Sequence, residues 1–385
     1  MQQNIYFGID KLPEILNGSS ISKLFIVTGA NSYMSLNFKD IIERFDIERV
    51  YFTDFTPNPK FEQICKGIEM FKSEGCDAML AIGGGSPMDV AKCIKLAVLA
   101  DEGINAIIPP IVNKNVDIDG KKIPFMAIPT TAGTGSESTH NAVMYYEGAK
   151  QTVTNDGILP DYAILEPSVL KTLPLYQKKC TMMDALCQGI ESWWSVNSTD
   201  ESKEYSKKAV ELIIQNWEKY IFGNDEVAAA NIMLGANYSG RAINIAQTTA
   251  AHAMSYRITS LYGLPHGHAV AVCLPEIWEY MVNNMDKCID PRGRGYLNDI
   301  FIQISLSMGC EDVMDTIGKF RNILLKFRIN IDGKELDEEQ LSLLANSVNP
   351  IRLKNNPIQI KEYGICNIYK VIFSKRNSYI CHSNH

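Results

Sequence analysis

The stretch that predicts the fold runs from Asp77 to Lys92 and reads DAMLAIGGGSPMDVAK. An apolar run at residues 78–82 is followed by three glycines and then by a pattern typical of a helix start. Glycines let the backbone approach a phosphate closely, and amides at a helix N-terminus donate hydrogen bonds to an anion. The stretch therefore predicts a strand, a phosphate-binding turn and a helix, with a tight turn that binds no ligand as the alternative.

Short apolar runs alternate with helical patterns before this stretch. Residues 24–27 and 50–52 are predicted as strands, and residues 61–72 are predicted as a helix. This alternation is typical of βαβ units, so we expect a parallel sheet that binds ligands at the carboxyl ends of its strands. The turn-rich segment FTPNPK at residues 55–60 follows one predicted strand and is a candidate binding loop.

A second polar loop, AIPTTAGTGSES at residues 127–138, also follows an apolar run. Its hydroxyl groups and free amides suit the pyrophosphate and ribose of a dinucleotide, although a polar surface loop is the alternative. Neither this loop nor the triple glycine has the form G-x-G-x-x-G, so the standard Rossmann fingerprint is absent.

The second half of the chain has a different pattern. Long amphipathic stretches, such as residues 203–220 and 226–246, replace the strand signals from about Leu170 onward. We therefore predict an α/β dinucleotide-binding domain at residues 1–168 and a helical metal- and substrate-binding domain at residues 169–385. The last residues, 365–385, are predicted to form a loosely packed terminus.

Composition excludes several classes of function. The 385 residues have 46% hydrophobic content and a formal net charge of −7, without long blocks of one sign. Nucleic acid and anionic membranes are therefore not expected as partners. The sequence has no apolar run long enough to span a bilayer and no signal-peptide pattern at its start, so a cytoplasmic location is expected. The ten cysteines include no C-x-x-C pair and are expected to be reduced thiols.

Two segments of the helical half place polar side chains among apolar residues. The first is DALCQGIESWW, which begins at Asp184, and the second is TTAAHAMSYRITSLYGLPHGHAVAV, which contains His252 and His266. On a helix, Asp184 and Gln188 share one face, and a Gly-Leu-Pro loop could fold the two histidines together. A carboxylate, an amide and two imidazoles suit a borderline divalent metal. The alternative is that each histidine is an ordinary core or capping residue.

Four segments, GGGSPMDVAK, IPTTAGTGSE, DALCQGIES and AHAMSYRITSLYGLPHGHAVA, resemble in order and spacing the signature segments of iron-containing (group III) alcohol dehydrogenases. The resemblance runs from about Phe7 to Glu279. It implies the dehydroquinate synthase-like fold of that family, in which an α/β dinucleotide-binding domain with a parallel sheet precedes an all-α domain. It also implies a nicotinamide cofactor, NADH or NADPH, and one divalent metal, iron or zinc, that acts as a Lewis acid.

Site residues follow from this resemblance position by position. The implied cofactor contacts are Asn58, Gly85, Ser86, Thr130, Thr131, Thr134 and Lys150. The implied metal ligands are Asp184, Gln188, His252 and His266.

Three positions depart from the family pattern. The family usually has histidine where Gln188 and Tyr256 stand, and its NAD-preferring members have aspartate where Gly29 stands. An amide oxygen is a weaker ligand than imidazole, so Gln188 is expected to be a distant fourth ligand or none. Without a carboxylate at Gly29 to repel a 2′-phosphate, NADPH is predicted to serve at least as well as NADH. Tyr256 and His268 are the candidates for proton delivery.

The helical segments most resemble phosphonoacetaldehyde reductases within the family. This resemblance implies a metal-dependent, NAD(P)-linked enzyme that reduces phosphonoacetaldehyde to 2-hydroxyethylphosphonate, with Arg257 or Arg241 as the cation for the phosphonate. A dehydrogenase of another small alcohol or polyol on the same fold is the first alternative. A non-catalytic, metal-free homologue is the second. The expected partners are a small aldehyde or alcohol and a second copy of the chain in a homodimer.

Overall fold

The computed structural model describes residues 3–18, 20–29, 33, 36, 39–109, 116–118, 120, 122–331 and 336–374. The chain forms two compact units, one of residues 1–173 with 224–240 and one of residues 174–223 with 241–385. The domain division between residues 168 and 169 stays a prediction.

A six-stranded parallel sheet forms the centre of the first unit. Its strands are β1 (Asn4–Phe7), β2 (Lys23–Thr28), β3 (Glu48–Phe52), β4 (Ala78–Gly83), β5 (Phe125–Pro129) and β8 (Tyr162–Leu165). Their order across the sheet is β1, β8, β5, β4, β2, β3, and every pairing is parallel. Each strand of the central pair, β4 and β5, is buried along its whole length, as the unbroken apolar runs predict.

Among the described residues, four α-helices and a hairpin lie along the chain between the strands of this sheet. The helices are α1 (Leu12–Asn17), α2 (Lys39–Glu43), α3 (Phe61–Ser73) and α4 (Gly85–Leu99), and the antiparallel hairpin is β6 (Asn141–Tyr146) with β7 (Ala149–Thr154). Helix α3 buries Ile64, Ile68 and Phe71, which lie on one face at helical spacing. Helix α4 is almost wholly buried, with Lys92 and Lys95 among its buried residues, so it is a core helix of the unit.

Helices also form the regular elements of the described residues after Leu173. They are α5 (Leu175–Trp194), α6 (Asp200–Phe222), α7 (Glu226–Ala246), α8 (Ala250–Tyr262), α9 (His266–Asn283), α10 (Gly293–Ser307), α11 (Val313–Phe327), α12 (Glu338–Asn346), α13 (Pro350–Leu353) and α14 (Glu362–Ser374). Helix α7 belongs to the first unit as far as Gly240. Within the described residues, no helix combines the length and the apolar character needed to cross a membrane.

The prediction of a loosely packed terminus at residues 365–385 is wrong for its first part. Residues up to Ser374 belong to α14, which buries Ile365, Ile368, Tyr369, Ile372 and Phe373. The hydroxyl of Tyr369 donates a hydrogen bond of 2.8 Å to the carbonyl of Met254. The apolar residues recur at intervals of three and four, which is the helical pattern that the prediction overlooked. Residues 375–385 lie outside the described residues.

Candidate metal and dinucleotide sites

The triple glycine forms the turn between β4 and α4 in the first unit. Gly83 has a φ of +148°, and a Cβ at this position would lie 2.6 Å from Cγ of Pro87, so the turn requires glycine here. Helix α4 begins at Gly85, and Ser86 lies in its first turn. The amides of this helix start are donors that suit a phosphate group.

The threonine loop lies beside this turn because β5, which precedes the loop, pairs with β4. The amide of Thr130 donates a hydrogen bond of 3.0 Å to the carbonyl of Gly83. A Cβ added at Gly84 would lie 3.4 Å from Oγ1 of Thr131, and one added at Gly85 would lie 3.4 Å from Cγ2 of Thr134. The structure thus brings two predicted phosphate loops to one edge of the sheet.

The segment at residues 55–60 approaches the same turn. Asn58 has a left-handed backbone, with a φ of +59°, and its amide lies 3.4 Å from Oγ of Ser86, to which it donates a hydrogen bond. Lys150 lies in β7 opposite Tyr145, whose amide donates to the carbonyl of Pro59 at 2.8 Å. The predicted cofactor contacts are therefore placed on three neighbouring segments and the adjoining hairpin. Gly29 follows the end of β2 directly.

A buried lysine links α4 to the end of the threonine loop. Nζ of Lys92 lies within hydrogen-bond distance of four oxygens, Ser136 O at 2.6 Å, Ser136 Oγ at 3.0 Å, Thr139 Oγ1 at 3.0 Å and Asn141 O at 2.8 Å, which its three N–H groups share. Burial lowers the pKa of Lys92 to about 8 and raises the pKa of its neighbour Asp89 to about 7. Local sequence patterns do not predict this cluster, although both residues lie between Asp77 and Lys92.

Helix α5 in the second unit carries the first two predicted metal ligands. Asp184 and Gln188 are both buried and lie on one face of the helix. Nε2 of Gln188 donates a hydrogen bond of 3.4 Å to Oδ2 of Asp184. The amide side chain therefore lies next to the carboxylate, as expected for residues four apart.

His252 in α8 and His266 at the start of α9 complete the cluster. One ligand atom from each of Asp184, His252 and His266 lies within 4.8 Å of the other two. Nε2 of His252 lies 3.4 Å from Oδ1 of Asp184. This buried nitrogen forms no hydrogen bond with any described residue. The two imidazoles meet edge to face, with ring centres 5.4 Å apart.

Glu191, which is not among the predicted site residues, orients His252. The carboxylate is fully buried, and its Oε1 accepts from the amide of Ala251 at 2.8 Å and from both the amide and the hydroxyl of Thr249, at 3.1 and 2.8 Å. Its Oε2 accepts from Nδ1 of His252. This contact leaves Nε2 of His252 to face Asp184. The signal was present, because Glu191 is seven residues after Asp184 and lies on the same helix face.

The electrostatics of the cluster favour a cation. Burial lowers the pKa of His252, but the carboxylates of Glu191 and Asp184 outweigh this effect and raise the pKa to about 9. Without a proton on Nε2, its lone pair and the carboxylate oxygen of Asp184 would face each other as two acceptors in a buried site. A divalent cation would satisfy both, and a carboxylate with two imidazoles is a donor set that zinc and iron accept.

Close helix packing brings the ligands together. A Cβ at Gly267 would lie 2.0 Å from the carbonyl oxygen of Cys180 and 2.9 Å from Cβ of Asp184. Only glycine therefore lets the start of α9, with His266, approach α5 this closely.

The remaining predicted residues lie at different positions around this cluster. Tyr256 stacks on His266, with ring centres 5.4 Å apart and an interplanar angle of 7°. Arg241 lies over the ring of Tyr205 at 5.5 Å. His268 bonds to Tyr176 through Nδ1 at 2.8 Å and to the carbonyl of Asn330 through Nε2 at 3.0 Å. Nε2 must donate to that carbonyl, so Nδ1 of a neutral His268 accepts from the Tyr176 hydroxyl.

Two family models match nearly the whole chain. The model for iron-containing alcohol dehydrogenase matches residues 3–167, and the C-terminal model of the Fe-containing alcohol dehydrogenase family matches residues 179–373. The chain belongs to the iron-containing alcohol dehydrogenase family. The expected family and enzyme class, an NAD-linked oxidoreductase of alcohols and aldehydes, are confirmed.

Named relatives within the family have diverse substrates. Phosphonoacetaldehyde reductase of Streptomyces viridochromogenes is 33% identical over 295 residues, which are 73% of this chain and 72% of that protein. Long-chain-alcohol dehydrogenase 1 of Geobacillus thermodenitrificans is 30% identical over 328 residues, which are 84% of this chain and 82% of that protein.

A solved structure confirms the fold. Sulfoacetaldehyde reductase from Bifidobacterium kashiwanohense, in complex with NAD⁺, superimposes with a TM-score of 0.86 and 26% identity, covering 97% of this chain and 98% of that one. The predicted α/β and all-α organisation of the iron-containing alcohol dehydrogenases is therefore correct. The expectation of a nicotinamide and one divalent metal is consistent with the family's iron and with the NAD⁺ of this relative.

Proposed function

We propose that this family member is a metal-dependent, NAD(P)H-linked reductase of a small aldehyde that carries a phosphonate or sulfonate group. Phosphonoacetaldehyde, reduced to 2-hydroxyethylphosphonate, is the first candidate. Relatives named for phosphonoacetaldehyde and for sulfoacetaldehyde support this substrate class, because each name describes a two-carbon aldehyde with a tetrahedral anion.

The observation that carries the catalytic proposal is the buried cluster of Asp184, His252 and His266. These three side chains would hold one divalent cation, and the amide of Gln188 is the candidate fourth ligand. Bound there, a divalent cation would polarise the carbonyl oxygen of the aldehyde as a Lewis acid. Glu191 would hold the ring of His252 in the orientation and tautomer that ligation requires.

The first unit supplies the proposed cofactor site. The helix start at Gly85 and Ser86 and the threonine loop would bind the pyrophosphate, with Asn58 and Lys150 as further contacts. Gly29 presents no carboxylate at the end of β2, so nothing at this position repels a 2′-phosphate. We therefore expect kcat/KM with NADPH to equal or exceed that with NADH, and a cofactor titration that showed strict NADH preference would contradict this.

An aldehyde panel tests the function. Phosphonoacetaldehyde, sulfoacetaldehyde, propanal and glyceraldehyde would each be assayed with NADH and NADPH, before and after metal removal and after reloading with iron or zinc. We expect the two anionic aldehydes to have the highest kcat/KM, and activity to disappear on chelation and return on reloading. If uncharged aldehydes or polyols are turned over better, the enzyme is another dehydrogenase of this fold. Purified protein that never binds metal would favour the non-catalytic alternative.

A further inference from the structure

An arginine distant in sequence contacts the ring that borders the metal cluster. Helix α13 carries Arg352, whose Nη1 donates a hydrogen bond of 2.6 Å to the hydroxyl of Tyr256. The guanidinium carbon also lies over the tyrosine ring, 4.8 Å from its centre. Two different interactions therefore hold Arg352 on Tyr256, although 96 residues separate them.

Tyr256 connects this arginine to the proposed metal ligands. It lies four residues after His252 in α8, on the same helix face, and its ring stacks on His266. Arg352 is therefore one aromatic ring away from His266, and Tyr256 itself lies one helical turn from His252. A phenol is neutral near pH 7, so Tyr256 positions the guanidinium without cancelling its charge.

Arg352 contacts a residue beside the metal cluster. This makes it a better candidate for binding the substrate than Arg257 or Arg241, which the sequence suggested. Arg257 follows Tyr256 directly, so it lies about 100° around α8 from the face that carries His252 and Tyr256. Arg241 lies over Tyr205 instead. Arg352 becomes a candidate for anion binding only once the fold is known, because α13 lies far along the chain from His252 and His266.

We propose that Arg352, held by Tyr256, binds the tetrahedral anion of the aldehyde substrate and so determines specificity. This inference rests on the proposed function. A guanidinium has a planar fork of N–H donors that matches two oxygens of a phosphonate or sulfonate, which a lysine ammonium cannot reproduce. In this proposal, Tyr256 replaces the family's usual histidine because the tyrosine hydroxyl accepts the hydrogen bond that fixes Arg352.

The test compares anionic and uncharged aldehydes in the metal-loaded enzyme. The measured quantity is kcat/KM for phosphonoacetaldehyde divided by kcat/KM for propanal. Arg352→Met should lower this ratio about 100-fold, mainly through KM, because an anion bound by a charged partner loses that partner. Arg352→Lys keeps the charge but not the fork and should lower the ratio about tenfold. Arg294→Met, which removes an exposed arginine of α10, is the matched control and should leave the ratio unchanged.

A binding measurement separates recognition from turnover. The affinity of the metal-loaded protein for 2-hydroxyethylphosphonate should fall about 100-fold in Arg352→Met, while the melting temperature and metal content stay near those of the wild type. Tyr256→Phe, which keeps the ring but removes the acceptor, should show a smaller loss than Arg352→Met in the same assay.

The outcomes distinguish the two proposals. If the wild type prefers phosphonoacetaldehyde and Arg352→Met keeps that preference, the role of Arg352 is refuted and the proposed function stands. If the wild type has no preference for either anionic aldehyde over propanal, the proposed substrate class fails and the role of Arg352 fails with it.

Discussion

The two units each bury a cluster of charged groups, but the clusters differ in whether protein atoms supply hydrogen-bond partners for those groups. In the first unit, four oxygens of residues 136–141 surround Nζ of Lys92 at hydrogen-bond distance, so the protein itself supplies acceptors for all three N–H groups of the buried ammonium. In the second unit, Nε2 of His252 faces the carboxylate of Asp184, and no described residue forms a hydrogen bond with it. Buried polar groups usually have hydrogen-bond partners. The first cluster therefore needs only the protein, whereas our proposal assigns a bound cation to the second.

Removing a proposed metal ligand should have the largest effect. His252→Ala takes away one of three ligands, so we expect the loss of stoichiometric metal and a fall in kcat/KM of about a thousandfold or more. Metal analysis and steady-state assays on the same preparation provide the measurement. His140→Ala, which removes a histidine paired with Asp156 in the first unit, is the control and should retain its metal. Full metal content in His252→Ala would show that His252 is not a metal ligand, and the proposed difference between the two clusters would fail.

Removing the buried ammonium should affect stability and leave metal content unchanged. Lys92→Met leaves its four acceptors and the Asp89 carboxyl without their cation, so the free energy of unfolding should fall by about 3 to 5 kcal/mol. Denaturant unfolding measures this change. The control, Lys66→Met, breaks an exposed ion pair with Asp54 and should cost less than about 1 kcal/mol. Equal losses in the two variants would show that the Lys92 cluster contributes no more than a surface pair.

The role of Glu191 can be tested with an isosteric change. Glu191→Gln keeps the size of the side chain but removes the charge that fixes the tautomer of His252. Metal affinity should fall about 10- to 100-fold, as is usual for a residue that orients a ligand. Competition with a chelator of known affinity gives this value. An unchanged affinity would mean that His252 needs no such support.

Helix packing around the ligands predicts a smaller effect. Gly267→Ala must push α9 away from the carbonyl of Cys180, which should cost about 1 to 3 kcal/mol of stability and weaken metal binding. The matched control is Gly318→Ala in α11, where a Cβ meets no atom within 4 Å. That change should instead stabilise the protein by about 0.5 to 1 kcal/mol. Thermal unfolding and metal titration of both variants would show whether the close approach is what assembles the ligands.

Much of the fold could be predicted from local patterns. The strands at residues 24–27, 50–52 and 78–82 and the helix at 61–72 appear in the structure with boundaries changed by at most two residues. Periodicity works here because a strand or helix buried in a core needs apolar residues at fixed intervals. The prediction for residues 365–385 is wrong at its start because the apolar stripe of α14 lies directly before a polar segment, and the two were treated as one.

The sequence by itself determined the parallel sheet, the glycine turn, the family and the identity of Asp184, His252 and His266 as candidate ligands. Each of these depends on residue types within one segment or on the order of segments. Only the tertiary structure decided that Glu191 supports His252, that Gly267 permits the approach of α9 to α5, and that Arg352 contacts Tyr256. These contacts join residues far apart along the chain, and spacing within a helix or strand carries no information about which distant segments pack together.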